Sequence, residues 1–597
     1  MTHGFGTMNR IPVALAVPVA GLCCALAGCS TRTDVSVTGN TPAQYSHVWI
    51  TAQEVWFNTS SIAGPDDGGW VKFPLSTPAT VDLVTESGGN LGSLVTGLKL
   101  APGTYSQIRL IPVDAAAALT SSAQTLGALY NAEADYVDSA NTTHQLPLEL
   151  LNPDQGIGIP GTLKVPVGNV GAALSATTAT TTTTGTTTTP TTPTTPNTSP
   201  TTTTTTTFAI TFDGTRDLTP FSYAGATTSN AILLSSHASA FDLSEVGGIQ
   251  GQLTLTNLTA TINSAAGLPA IQVSAQSLSA DGTRHVVVSR APVHADGSFL
   301  LYPLATSSSS PADYDLVIHG RGIATIIIKS VQVTLASSSA SGTTSTGTAA
   351  NSTINAVSVG TLIPRAAGSY TANVGTATGA ALPAGAQVGF YQTLATAGEV
   401  PYVIEASPID PFNETLANAQ ALSTGTLDSG TYSTSGASVT LVSAAPKEGA
   451  GHYRVAASAP SFTDGALTTT VSAPPAGTTT PVAVTVPALA LAPGTTAGSI
   501  SASVTQATAG KYDHGELLVT HDGTLIATTP LDAALAQGAG ATLTVSGLPA
   551  GTAAALYYVA VRAWNSRDAS GTLQRQSYPT AIDLSGSTTG AAQLTIN

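Results

Sequence analysis

From residue 34 onward the sequence breaks into short runs of β-branched and aromatic residues, each closed by Gly, Pro, Asp or Ser. Val48-Trp-Ile-Thr-Ala-Gln-Glu-Val-Trp-Phe57 is the fullest of these runs, and the turn cluster Gly64-Pro-Asp-Asp-Gly-Gly69 follows it. Residues 105–113, 163–167, 208–212, 252–258, 285–289 and 323–335 repeat the pattern. Short strands punctuated by turn residues build sandwiches rather than parallel α/β sheets. Helical periodicity is confined to residues 115–134 and 531–537, and it is modest in both. The chain is therefore expected to be all-β, a tandem of β-sandwich modules.

Composition narrows the function. Only 9% of the 597 residues are charged, against about 25% in an ordinary globular domain. With 18 Lys plus Arg against 33 Asp plus Glu, the net charge is −15. There is no basic field to hold phosphates, so no nucleic-acid partner is expected. The Glu, Lys, Leu and Arg that a helical bundle or long coiled coil requires are scarce. The hydrophobic share of 42% still suffices for packed cores, and the length suggests three to five domains at about 100–200 residues each.

Three stretches divide the chain. Residues 176–207 are almost pure Thr, broken by Gly185, Pro190, Pro193, Pro196 and Pro200. Such a low-complexity tract buries too little apolar surface to offset its ordering entropy, and it is expected to be a disordered loop. Residues 337–355, rich in Ser, Thr, Ala and Gly, read as a flexible linker, and the Pro-rich 473–494 as a stiffer one. Modules joined in this way are expected to move as beads.

All three cysteines, Cys23, Cys24 and Cys29, lie in the first thirty residues. Arg10 precedes an apolar run over 11–27 that contains Pro12 and Pro18, short for a span of about 20 residues. A short basic start, an apolar stretch and a small-residue cleavage site mark an export signal over 1–28. Its end, Leu26-Ala-Gly-Cys29, resembles the bacterial lipobox, which implies acylation of Cys29 and a membrane partner reached through that lipid. Ser30 follows, which by resemblance to the usual sorting rule favours the outer membrane, with the protein either periplasmic or surface-exposed. The remaining chain then has no thiol for a disulfide, a metal site or catalysis.

Further resemblances follow module by module. Val48-Trp-Ile-Thr51 with Glu54-Val55, Gly69-Trp-Val71, Val81-Asp-Leu83, Leu100-Ala-Pro-Gly-Thr-Tyr-Ser-Gln-Ile-Arg-Leu110, Phe208-Ala-Ile-Thr-Phe-Asp213 and Arg216 run in order. Over 34–245 the chain thus resembles the bacterial lipoprotein domain of unknown function 4382, with 176–207 as an insert. Residues 247–336 resemble the carboxypeptidase regulatory-like sandwich, through Gly248-Ile-Gln-Gly251, Asp296-Gly-Ser-Phe299 and Asp313-Tyr-Asp-Leu-Val-Ile-His-Gly320. In 356–472, Gly451-His-Tyr-Arg-Val-Ala-Ala-Ser-Ala-Pro460 repeats the closing hairpin of a sandwich. Residues 495–597 resemble fibronectin type III, through Leu543-Thr-Val-Ser-Gly-Leu-Pro-Ala-Gly551 and Tyr557-Tyr-Val-Ala-Val-Arg-Ala-Trp-Asn565. The resemblances imply immunoglobulin- or transthyretin-like sandwiches.

No motif of catalysis, phosphate binding or an EF-hand occurs in the sequence, and no cofactor, metal or catalytic residue is assigned. Asp513-His514-Gly-Glu516 with His521-Asp522 is the nearest approach to a metal cluster, and exposed polar residues of an edge strand explain it equally well. Asp66-Asp67 beside Gly68-Gly69 reads as a hairpin turn. Trp49, Trp56 and Trp70 are either core anchors or an aromatic ligand platform. The expected function is a non-catalytic cell-envelope lipoprotein whose sandwiches bind a protein or glycan ligand, as in adhesion. The alternatives are a glycan-binding accessory lipoprotein and, less favoured by the motifs, a metal-dependent hydrolase.

Overall fold

The computed structural model describes residues 31–113, 117–138, 140–150, 156–166, 205–221, 231–235, 237–255, 271–306, 312–335, 355–375, 386–410, 413–435, 437–459, 469–472, 482–485, 496–521, 524–531, 535, 541–551, 555–564, 575–576 and 580–596. The leader with Cys29, residues 176–204 of the Thr tract and most of both linkers lie outside the described residues. Among the described residues the protein is nearly all β, and no helix is long and apolar enough to cross a membrane.

The first sandwich is organised by the strand Tyr45–Asn58. Val48, Ile50 and Ala52 enter the core, then Val55 and Phe57. A bulge between Ala52 and Glu54 accounts for the change from even to odd positions, because an extra residue reverses which side chains face inward. His47, Trp49, Thr51, Glu54 and Trp56 consequently share the outer face. This strand is the spine of an eight-stranded sheet, which packs on a four-stranded sheet of Ser239–Asp242, Thr205–Asp213, Thr31–Asn40 and Gly92–Leu100. Thr205–Thr207, the last residues of the expected insert, are strand, paired in parallel with Arg32–Asp34. The helical expectation over 115–134 reduces to Ser121–Leu126, whose first turn is capped by Thr120 Oγ1 accepting from the Ala123 amide and which closes on Gly127 at φ 81°.

The second sandwich begins without a linker. Asp242 caps the turn Leu243–Glu245, and Val246–Leu253 follows directly. That strand lies between Ser298–Ala305 and Ala356–Leu362, opposite a seven-stranded sheet that runs from His285–Pro292 through Ile271–Leu278, Ala312–Gly320 and Ile326–Val333 to Leu427–Ser433. The linker expected at 337–355 therefore does not separate two sandwiches. Ala356–Leu362 pairs in parallel with Val246–Leu253, and Leu427–Ser433 pairs in parallel with Ile326–Val333. Both returning segments cover strand edges that would otherwise expose unpaired amides and carbonyls.

A second seven-stranded sheet, from Thr469–Val471 to Val482–Thr485, forms the third unit. Its core of Tyr370, Phe390, Tyr402 and Tyr453 also takes in Val317 and Ile327 of the second sandwich. Leu316, Ile318, Ile326 and Ile328 face the other way, into the second sandwich's own core. The uninterrupted run Ile326-Ile-Ile328 is thus buried on both faces of one sheet. In the fourth unit the sheet of Ala541–Pro549, Ala497–Gln506 and Thr589–Ile596 faces a five-stranded sheet centred on His514–His521 and Leu556–Trp564. Tyr557, Val559, Val561 and Ala563 point into its core.

The units are clamped rather than strung as beads. Ala231 and Leu233 of the first sandwich meet Leu518 and Leu525 of the fourth in a separate apolar cluster. Beside it Arg562 Nη2 donates to Glu149 Oε2 at 2.6 Å, with both side chains at least nine-tenths buried. Gln44 Nε2 ties the first unit to Ser407 Oγ of the third at 3.1 Å. Between the second and third, Val403 N donates to Gln276 Oε1 at 3.1 Å and Lys329 pairs with Glu399 at 2.8 Å. The sequence reading missed these clamps because low overall charge conceals where the few charges stand.

Tight approach of the first two sandwiches rests on glycine. Gly89, at φ 83°, would place an added Cβ 2.1 Å from Leu300 Cδ2, and Gly88 would place one 3.1 Å from Ala291 Cβ. Gly89→Ala is expected to cost about 1–3 kcal/mol through overpacking and left-handed backbone strain. The readout is a lowered melting temperature with faster proteolysis at this junction, and unchanged melting would contradict the contact.

Candidate functional site

A cleft of about 610 Å³ opens where the first sandwich meets the second. The first contributes Ser46, His47, Thr85, Asn90 and Asp135, and the second contributes Gln272, Arg290, Pro292 and His294. His47 and Asp135 stand directly opposite each other on the neighbouring strands Tyr45–Asn58 and Ala132–Val137. Along Ala132–Val137 the small or aromatic Ala132, Ala134 and Tyr136 enter the core, which turns Glu133 and Asp135 outward by alternation.

The cluster is held by fixed donors. His47 Nδ1 lies 2.6 Å from Asp82 Oδ2, and the imidazole stacks on Trp49 with centroids 4.8 Å apart. Asp82 Oδ1 accepts from the amides of Val48 and Val84 at 3.1 and 3.0 Å. Fully buried Glu133 accepts from the amides of Leu129 and Tyr130 at 2.6 and 2.9 Å and from Gln145 Nε2 at 3.0 Å. Asp135 hydrogen-bonds to Glu133, and its own Oδ1 has no partner among the described residues.

Crowded negative charge shifts the protons. Burial first, then the hydrogen bond and charge of Glu133, push the Asp135 carboxyl up to about 7, with His47 pulling the other way. The hydrogen bond to Asp82 holds the His47 imidazole above its ordinary value. Burial and then Asp82 raise Glu86. A carboxyl raised by burial beside an imidazole in a cleft marks this position as the candidate site.

Of the tryptophans, Trp49 backs His47, and Trp56 and Trp70 lie farther along this outer face. Trp49 packs under the short helix, against Ala123 and Ala128. Trp56 is 9% exposed, its indole Nε1 donates to Glu54 Oε2 at 2.7 Å, and Lys72 Nζ sits 3.6 Å above the ring. Trp70 is tilted 59° from it, donates to the Gly64 carbonyl and faces Arg109. The three indoles therefore form neither the sandwich core nor a flat exposed platform, because the 59–70 loop, the helix and the cations cover them. Glu516 stands across the ladder from Arg562, and Asp522 lies outside the described residues. Among the described residues no three His, Cys, Asp or Glu converge as metal ligands. Sequence reasoning missed His47, Asp82 and Asp135; the available signal was Ala132-Glu-Ala-Asp-Tyr-Val137, where acids alternate with core residues in a charge-poor chain.

No curated protein sequence matches this chain. Among solved structures it is similar to the Bacillus anthracis TIE protein at 7% identity, covering 94% of this chain and 73% of that one, with a TM-score of 0.14. It is similar to a streptococcal ancillary pilin at 10% identity, covering 59% of this chain and 99% of the pilin, with a TM-score of 0.13. A tetra-tandem repeat from the extending region of a large adhesion protein matches at 11% identity over 92% of this chain and all of the repeat, with a TM-score of 0.09. At these TM-scores the fold of this chain rests on its own sheets. Residues 30–216, which carry the strand of His47, the strand of Asp135 and Asp82, match the family described as Domain of unknown function (DUF4382).

Proposed function

We propose that the protein is a non-catalytic envelope lipoprotein, anchored to the outer membrane through Cys29, whose clamped sandwiches present a binding surface for a protein or glycan in adhesion. The observation that supports this reading is the ligand-sized cleft at the junction of two sandwiches, lined by hydroxyls, amides, imidazoles and Asp135. Two or three acyl chains on one cysteine anchor stably, where one chain holds only marginally. Cys29→Ala is expected to release the protein from membranes and abolish acyl labelling; a variant that stays in the membrane fraction would contradict the anchor. Binding of the intact protein to a glycan and matrix-protein array tests the adhesive part, and a blank array would overturn it.

A hydrolytic reading draws on the same cluster. An imidazole oriented by Asp82 beside a carboxyl titrating near neutrality supplies the elements of general acid–base chemistry. It requires turnover of a model ester or glycoside that disappears in His47→Gln, whereas the binding reading requires none.

A further inference from the structure

We propose that the cleft between the first two sandwiches is a site for a sugar acid, its carboxylate held by Arg290 and its hydroxyls by the amides and hydroxyls alongside. The inference rests on the reading of this chain as a binding protein and adds the chemistry of one ligand.

Strand alternation places the cation. Ile271, Val273, Ala275 and Ala291 enter the core of the second sandwich, so Gln272, Ser274 and Arg290 turn to the opposite face of the same sheet. Arg290 stands across the ladder from Ser274, and Gln272 from Pro292. Arg290 and Gln272 line the cleft from that face.

Both side chains are only 7% exposed, yet among the described residues neither makes a hydrogen bond or an ion pair. Asp213 and Glu405 attract the guanidinium without an ion pair to it. Its nitrogens are not among the polar atoms sealed from solvent, so its donors open on the cleft. A desolvated guanidinium with no acceptor is costly to leave alone. The lining sets Arg290, His47 and His294 against a single carboxyl, Asp135. Burial and Glu133 push that carboxyl up to about 7, so near neutrality it carries about half a charge. Asp82 is taken up by His47 and two backbone amides, and Glu133 by two amides and Gln145. The charge left unanswered toward the cleft is positive.

The planar fork of a guanidinium matches a carboxylate through two parallel hydrogen bonds. Gln272, Asn90, Ser46 and Thr85 add amides and hydroxyls, which exchange hydrogen bonds with sugar hydroxyls. An amine meets Arg290 with like charge. An amino acid brings an ammonium that finds no open carboxylate, because Asp135 Oδ1 is sealed from solvent. The volume of about 610 Å³ suits a small organic molecule.

Calorimetric titration of the full-length protein in detergent tests this. The probes are galacturonate and its trimer, with galactose, acetate, inorganic phosphate and 1,5-diaminopentane as comparisons. Galacturonate is expected to bind saturably, and galactose, with a hydroxymethyl in place of the carboxylate, at least about tenfold more weakly. Tighter binding of the trimer assigns the sugar acid to a polymer and equal binding to the free monosaccharide; both support the site. Arg290→Met should abolish binding. Because that variant also loosens the junction, exposed Thr85 at the cleft supplies a second pair. Thr85→Glu should weaken galacturonate at least about fivefold and Thr85→Lys should tighten it, opposite directions that damaged folding does not produce. Asp583→Asn, on the exposed face of the fourth sandwich, should change nothing. No saturable binding of either acid, equal binding of galactose or acetate, tighter binding of phosphate or the diamine, or indifference to both Thr85 variants would overturn the proposal. If the acids fail while the array finds a protein or a neutral glycan, the ligand assignment falls and the adhesive reading stands; if both fail, both fall.

Discussion

Arg562→Ala is expected to detach the fourth sandwich from the first. The guanidinium and the Glu149 carboxylate are 2.6 Å apart, and neither side chain is more than 10% exposed. Removing one partner of a buried ion pair leaves the other charge uncompensated, which typically costs about 3–5 kcal/mol. The apolar contact left behind, Ala231 and Leu233 against Leu518 and Leu525, is small. The fourth sandwich should then melt earlier and be cut more readily by protease. Replacing both partners, Glu149→Leu with Arg562→Met, should recover most of the loss, because a buried pair exchanged for apolar residues of similar size is often neutral or stabilising. A single variant that melts like the parent would show that the junction is held by something else.

Arg290→Met is expected to have a comparable effect where three units meet. Burial lowers the Arg290 guanidinium, and the charges of Asp213 in the first unit and Glu405 in the third oppose that shift. Without Arg290 those carboxylates lose a nearby positive charge, and the melting temperature should fall. Acid titration gives a second readout. Burial first, and Arg290 second, pull the His319 imidazole down to about 3, below its unfolded value of 6.5. The unfolded chain therefore binds the proton first. The stability contributed by neutral His319 is complete above pH 6.5 and falls by about 1.4 kcal/mol per pH unit toward pH 3. Arg290→Met raises the folded value, so the loss on acidification should level off at a higher pH. An unaltered lower limit would contradict the proximity of the two groups.

The strand content was legible because β-branched runs and turn clusters are local signals. Module boundaries were not, since a composition shift at 337–355 says nothing about which sheet the chain rejoins, and Ala356–Leu362 returns to the second sandwich. A finer reading was available in the unbroken apolar runs. Ala231-Ile-Leu-Leu234, Ile326-Ile-Ile328 and Leu517-Leu-Val519 lack the polar alternation of a sheet with one wet face, and each is buried against two different neighbours. Those runs are the docking faces. The candidate site was hidden for a related reason: His47, Asp82 and Asp135 are far apart in sequence and ordinary in type, and only strand pairing, with the bulge near Ala52, brings them to one face. Trp49, Trp56 and Trp70 drew attention by type, yet the same bulge sets Trp56 outside the core, under Lys72.

The central claim is that the sandwiches form one clamped body, and solution scattering of residues 30–597 tests it most directly. Interlocked strands and buried junction charges predict a radius of gyration close to the single-globule value of about 25 Å for a chain of this length. A radius half as large again, with the elongated profile of modules moving on linkers, would contradict it.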